Sequence, residues 1–131
     1  MITKTLVQEK DRLEFLPKYI GNRFFKFEML VYAFTDKFCK DYSGGYWEFW
    51  MLENGGILMT LDSDEVFQVC NDMNYFEDTM SAESISIAVN MFALNALMDG
   101  GCDKRIIDYY YALGDYASEQ KEASKIIRLI D

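Results

Sequence analysis

From Ala82 to about Asp99 the chain reads Ala-Glu-Ser-Ile-Ser-Ile-Ala-Val-Asn-Met-Phe-Ala-Leu-Asn-Ala-Leu-Met-Asp, and no other stretch constrains the fold as strongly. Ile85, Ala88, Val89, Phe92, Leu94, Ala96 and Leu97 cover nearly every side of a helix, and a helix apolar all round belongs at the centre of its domain. Ser81 is placed to cap its start, with Glu83 near the positive end of the helix dipole, and Gly100-Gly101 stops it. A chain of 131 residues fits one domain around such a segment, residues 1–131. With half its residues hydrophobic and 16% aromatic, the chain is too apolar to stay unfolded.

The remaining elements follow from periodicity and punctuation. Residues 1–20 mix short apolar clusters with charges and hold the only proline, Pro17, which predicts a loose arm with a short strand near Thr3–Val7. Phe24, Phe27, Val31, Phe34 and Phe38 recur at helical spacing between Arg23 and Asp41, and Ser43-Gly44-Gly45 ends that helix. Tyr46–Leu52 reads as a strand, with Trp47, Phe49 and Met51 on one face and Tyr46, Glu48, Trp50 and Leu52 on the other. Asn54-Gly55 then predicts a hairpin returning through Ile57–Leu61, because both central residues of a type I′ turn need positive φ. Glu65–Cys70 is expected to be a third strand on the strength of Val66, Phe67 and Val69, although Asp64 could equally cap a helix there, and Asn71–Met80 is expected to be polar and irregular. Asp103 and Ser118 offer N-caps for two further helices, with Ile106, Tyr110 and Leu113 on the inner side of one and Ala123, Ile126, Ile127 and Ile130 on that of the other. The expected class is α+β: a small antiparallel sheet, the Asn54-Gly55 hairpin plus a third strand, packed against about four helices.

Charge divides along the chain. Residues 1–60 carry eight bases and eight acids, so the net charge of −9 lies wholly in residues 61–131. Between Asp62 and Asp103 there are nine carboxylates and no Lys or Arg. The exposed part of this run, with Asp62, Asp64, Glu65, Asp72, Glu77 and Asp78 as candidate surface acids, should repel phosphates, so direct nucleic-acid binding is not expected. No N-terminal stretch has the layout of a signal peptide and no apolar run is long enough to span a membrane, so the chain is expected in the cytosol. Cys39, Cys70 and Cys102, odd in number and far apart, suit reduced core thiols better than disulfides or a zinc site.

The chemistry available is narrow. Absence of histidine removes the usual general base, the Ser/His and Cys/His nucleophile arrangements and the commonest metal ligand. Gly44-Gly45 and Gly55-Gly56 lack the lysine or the strand-to-helix setting of a phosphate loop. Asp62-x-Asp64 begins like a calcium loop, but Val66 and Phe67 stand where an oxygen ligand and a glycine are required. No metal, cofactor or catalytic residue is therefore assigned. Glu48, set between Tyr46 and Trp50, is the best candidate for unusual acid–base chemistry, yet nothing provides the second carboxylate that a glycosidase needs.

Leu16-Pro17-Lys18-Tyr19-Ile20-Gly21, Glu28 with Val31-Tyr32, Asp41-Tyr42-Ser43-Gly44-Gly45-Tyr46-Trp47-Glu48-Phe49 and Leu52 with Asn54-Gly55-Gly56 resemble, in order and spacing, the ArdB/KlcA antirestriction family. Tyr75-Phe76-Glu77, Met80-Ser81-Ala82, Phe92-Ala93-Leu94 and the closing Ile130-Asp131 extend the resemblance over nearly the whole chain. Ile20-Gly21 stands where the family often has Phe-Gly, and Ser118-Glu119-Gln120-Lys121-Glu122 replaces its usual His-Pro-Glu. The resemblance implies a non-enzymatic inhibitor, made by mobile genetic elements, of type I restriction enzymes attacking unmodified incoming DNA. Its partner would be the restriction–modification complex, met by a monomer through a specific surface for which Glu48, Trp50 and Asp131 are the candidates. Partial DNA mimicry by the acidic run is the alternative. A ~30 Å face would need about eighteen charges to match duplex DNA at one per ≈ 1.7 Å.

Overall fold

The structure is a computed structural model, and it describes residues 1–98 and 103–131. In chain order the elements are β1 (Lys4–Leu6), α1 (Arg12–Ile20), α2 (Phe24–Phe38), β2 (Trp47–Leu52), β3 (Ile57–Leu61), β4 (Val66–Asn71), β5 (Phe76–Ser81), α3 (Ala82–Met98), α4 (Lys104–Ser118) and α5 (Ala123–Ile130). Short 3-10 turns over Glu9–Asp11 and Gly21–Arg23 precede α1 and α2. The class is α+β.

As the all-round apolar pattern demands, α3 is the centre, packed against α2, α4, α5 and β3. Ile85, Ile87, Ala88, Val89, Ala93, Leu94 and Leu97 are fully buried on it. Ser81 caps its start, accepting the Ser84 N–H at 3.1 Å, and an Arg23 Nη2 donates to the Leu97 carbonyl in its last turn. The stop expected at Gly100-Gly101 lies outside the described residues.

The one polar stripe on α3 is what docks the sheet. Strand order is β1-β2-β3, all antiparallel, with Glu48 opposite Thr60 and Trp50 opposite Leu58. All five β3 residues are buried although β3 is the outer strand. Its free edge is paired by helix side chains instead of a further strand. Asn90 Oδ1 accepts the Met59 N–H (3.0 Å), while Asn90 Nδ2 donates to the Met59 carbonyl (2.8 Å) and to Ser86 O (2.7 Å). Ser86 Oγ accepts the Leu61 N–H (2.9 Å) and donates to Ala82 O (2.6 Å). Backbone groups that would otherwise be buried and unpaired are thereby met.

Four expectations are corrected. The strand over 65–70 exists, but it pairs with β5 in a separate two-stranded sheet, and the place it was given beside the hairpin is taken by β1. Residues 76–81 are therefore a strand, not irregular chain; Phe76 and Met80 alternate inward, a pattern masked in the sequence by the polar Glu77, Asp78 and Thr79 between them. The arm before Gly21 is mostly helix: α1 buries Phe15, Leu16 and Ile20, and this packing outweighs the hydrogen bond that Pro17 removes. Ser118 ends α4 rather than starting the last helix, whose N-cap position is Glu122. Asp103 does cap α4, accepting the Arg105 N–H at 3.0 Å.

Asparagines fasten the loops. Asn54 Nδ2 donates to Ala112 O (2.9 Å), pinning the β2–β3 turn to α4. In the β4–β5 turn, Asn71 Nδ2 donates to Leu129 O (3.0 Å), and Asn74 Nδ2 to Arg128 O (3.1 Å) and Leu129 O (3.0 Å). These are orphan carbonyls of the last turn of α5. The same turn holds Tyr75 at φ 61°, the left-handed region, where a bulky residue costs about 1–3 kcal/mol.

Leu94→Ala is expected to cost about 2–5 kcal/mol, as truncation of a buried leucine does. Asn90→Leu is expected to cost at least as much, because it strands the Met59 N–H and C=O at about 1–3 kcal/mol each. Urea unfolding of both variants checks this; unchanged midpoints would place the core elsewhere.

Candidate partner-binding surface

Glu48 and Trp50 lie on one face of β2, two residues apart, and together with Lys4, Thr60, Asp62 and Glu83 they line a shallow cavity of about 140 Å³. Trp50 is held from two sides. Its Nε1 donates to Thr60 Oγ1 (2.8 Å), the Lys4 ammonium sits 4.0 Å from its ring centroid, and Lys4 is anchored by Glu83 at 2.8 Å. Glu83 also accepts the Tyr116 hydroxyl (3.2 Å), and burial, with Glu83 beside it, pushes that phenol up to about 12. Glu48 makes no ion pair or side-chain hydrogen bond among the described residues.

Glu48 is not set between two aromatics. The Arg12 guanidinium stacks over both Tyr46 (4.7 Å) and Phe49 (4.5 Å), so Tyr46 lies on the Phe49 side of the strand. Strict alternation fails there because β2 begins at Trp47, and Tyr46 belongs to the extended Gly-rich entry. The observation that singled out Glu48 for acid–base chemistry is therefore gone, and the carboxylates that line its cleft with it, Asp62 and Glu83, do so in a shallow solvent-open site.

Asp131 follows α5, with its N–H bonded to Ile127 O (3.0 Å) and its side chain exposed. No cavity, hydrogen bond or ion pair joins it to Glu48 or Trp50 among the described residues.

The acidic run is not the uniform field its sequence suggests. Asp78 pairs with Lys125 (3.5 Å) and Arg128 (3.3 Å) of α5, Glu83 with Lys4, and Asp103 with Arg105 (3.1 Å). Asp62 and Glu65 line a second cleft of about 230 Å³ with Asp41, Gly44 and Gly45, and Asp64 lies exposed between them in sequence. Asp72 and Glu77 flank the β4–β5 turn, exposed. None of these five is in an ion pair among the described residues.

Residues that sequence reasoning missed are mostly the fasteners. Glu119 and Glu122 accept the N–H groups of Ile2 (2.7 Å) and Ser81 (3.0 Å). Met73 and Tyr75 protrude at the β4–β5 turn, 82% and 92% exposed. Neither thiol described is poised to react: burial pushes Cys39 up to about 12, and Cys70 is raised by desolvation and by Asp72 and Glu77. Cys102 lies outside the described residues.

A family model for antirestriction proteins matches residues 40–131, from the end of α2 to the end of the chain. The chain belongs to the antirestriction protein family. The antirestriction protein KlcA of Escherichia coli is 39% identical over 99% of this chain and 94% of its own length. The YafX protein of Escherichia coli strain K12 is 37% identical over 99% of this chain and 88% of its own. A solved structure of the KlcA and ArdB proteins superposes with a TM-score of 0.90 at 35% identity, over 99% of this chain and 95% of that one. It is described as a novel fold with antirestriction activity against Type I DNA restriction systems in vivo but not in vitro. Antirestriction relatives thus share α1 and α2 as well as the segment that the family model covers.

The pairing of Asp78 has a pH signature. The Thr79 N–H, with Lys125 and Arg128, holds its carboxyl below the ordinary value of 3.8 despite some desolvation. A depressed folded-state value stabilises the fold above that pH, and the stabilisation is lost as pH falls through the folded value. Asp78→Asn is expected to melt below wild type at neutral pH, and the two should converge as pH drops below about 3.8. A melting difference independent of pH would show that the pair does not act through charge.

Proposed function

We propose that this antirestriction family member relieves type I restriction of unmodified incoming DNA inside the cell, by contacting the restriction complex as a protein inhibitor and not as an enzyme. The full-length likeness to the KlcA and ArdB structure, with its activity against Type I systems in vivo, carries this reading. The chemistry agrees with it: no histidine, both described thiols held protonated, and a Glu48 without a second aromatic neighbour. Glu48 is the proposed contact residue on the sheet, an unpaired carboxylate beside a tryptophan whose ring is locked in place. Asp131, exposed after α5, is a second candidate contact.

The test belongs in cells, since the activity of the KlcA and ArdB proteins is described as present in vivo but not in vitro. In a bacterium with an active type I system, the protein is expected to raise the plating efficiency of unmodified phage without changing modification of host DNA. Equal plating with and without the protein would refute the reading. Glu48→Gln, Trp50→Ala and Asp131→Asn, each checked for folding and expression, are set against a variant neutralised at Asp62, Asp64, Glu65, Asp72 and Glu77. Loss in a single-site variant supports a specific protein contact. Loss confined to the five-fold variant supports partial DNA mimicry instead.

A further inference from the structure

We propose that the β4–β5 turn is a preformed plug, with Tyr75 and Met73 inserting into an apolar, base-rimmed pocket on the protein that this chain inhibits. The proposal rests on the functional reading above and adds a contact that neither Glu48 nor Asp131 supplies.

Tyr75 sits at φ 61°, a conformation suited to Gly or Asn and unfavourable for a bulky side chain. The positive φ serves the turn between the paired Asn71 and Phe76, a conformation glycine would adopt without strain, so the ring is not what the fold requires there. The ring is 92% exposed and takes part in no hydrogen bond, aromatic pair or cation–π contact among the described residues. A residue that strains its own backbone and packs against nothing inside the molecule has its use outside it. Met73, two positions away and 82% exposed, adds a second large apolar side chain at the same tip.

The tip is also held still. Asn71 Oδ1 and Asn74 Oδ1 accept the N–H groups of Met73 and Phe76 at 3.0 Å each, and their amide nitrogens hold Arg128 O and Leu129 O in α5. Phe76, next in the chain, is buried under the Arg128 guanidinium at 5.3 Å. A turn fastened on both sides loses little freedom on binding, and tyrosine is among the residues that most often dominate a contact. Methionine adapts its shape to an apolar pocket.

Charge defines the partner. Asp72 and Glu77 flank the tip, exposed and outside any ion pair, and although Lys40 lies near Cys70 it pairs with neither. Two exposed carboxylates outside any ion pair, one of them accepting the Cys70 thiol at 3.5 Å, repel a phosphate backbone and complement a protein pocket rimmed by Lys or Arg.

Tyr75→Gly separates contact from stability, because glycine relieves the backbone and removes the ring. Tyr75→Phe keeps the ring, and Tyr111→Ala removes an exposed tyrosine on α4 as a control. Melting of the purified proteins and plating of unmodified phage on cells with an active type I system are the readouts. Tyr75→Gly is expected to melt at or above wild type and to lose protection by about tenfold or more, while Tyr75→Phe and Tyr111→Ala protect as wild type does. Full protection by Tyr75→Gly, a lowered melting temperature for it, or equal loss in Tyr111→Ala overturns the plug while leaving the antirestriction reading intact. Wild type without any protection overturns both.

Discussion

The pairing of the β3 edge with Ser86 and Asn90 is the interaction on which the architecture depends. A helix apolar on every side has no preferred rotation about its axis, so hydrophobic burial alone would hold α3 at the centre without choosing which face meets the sheet. Two polar residues four positions apart make that choice, since they lie on one face of the helix. They also close an edge strand that would otherwise expose unpaired backbone to other chains. Once α3 is fixed against β3, the opposite flank is left for α2, where Phe34 and Phe38 stack on Phe92 at 5.2 and 5.0 Å. The remaining sides take α4 and α5.

The same device recurs at the periphery. Asn54, Asn71 and Asn74 each spend an amide on a helix carbonyl, and Arg23 does so with its guanidinium. Loops held this way cannot enclose a deep ligand cavity, but they can present side chains at fixed positions. Described pockets are correspondingly open clefts, and the conspicuous features are protruding groups: Glu48 beside a locked Trp50, and Tyr75 with Met73 at a fastened turn.

The central helix, the β2–β3 hairpin and the Asp103 cap were legible because each rests on local chemistry: continuous apolar periodicity, an Asn-Gly turn and a side chain able to accept a backbone N–H, although in that turn Gly55 takes a positive φ and Asn54 does not, so it is not the type I′ turn expected. What was not legible depended on tertiary context. Pro17 argued against a helix that Phe15, Leu16 and Ile20 form once there is a core to enter. Glu77, Asp78 and Thr79 hid a strand whose inward side carries Asp78 between Phe76 and Met80, a carboxylate that α5 partners with Lys125 and Arg128. Tyr46 broke the expected alternation through a glycine-led entry that no period-two pattern reveals. Among the candidate site residues, the sequence placed Glu48 and Trp50 on one face correctly, while the exposure of Met73 and Tyr75 needed the turn to be seen.

Charge shows how far a linear pattern departs from a surface. Asp62 to Asp103 is a run without a base in the sequence, yet folding brings Lys4, Lys125 and Arg128 onto it, and Arg105 onto its last member. Among the described residues of that run the carboxylates left outside ion pairs fall into two places, the cleft that Asp62 and Glu65 share with Asp41 and the β4–β5 turn. Screening limits each to about 8–10 Å at physiological salt, whereas a duplex presents a charge every ≈ 1.7 Å without a break. Within that run two local acidic spots, one beside an exposed aromatic tip, replace what the linear sequence presents as a continuous polyanion, so charge density along the chain overstates charge density on the surface.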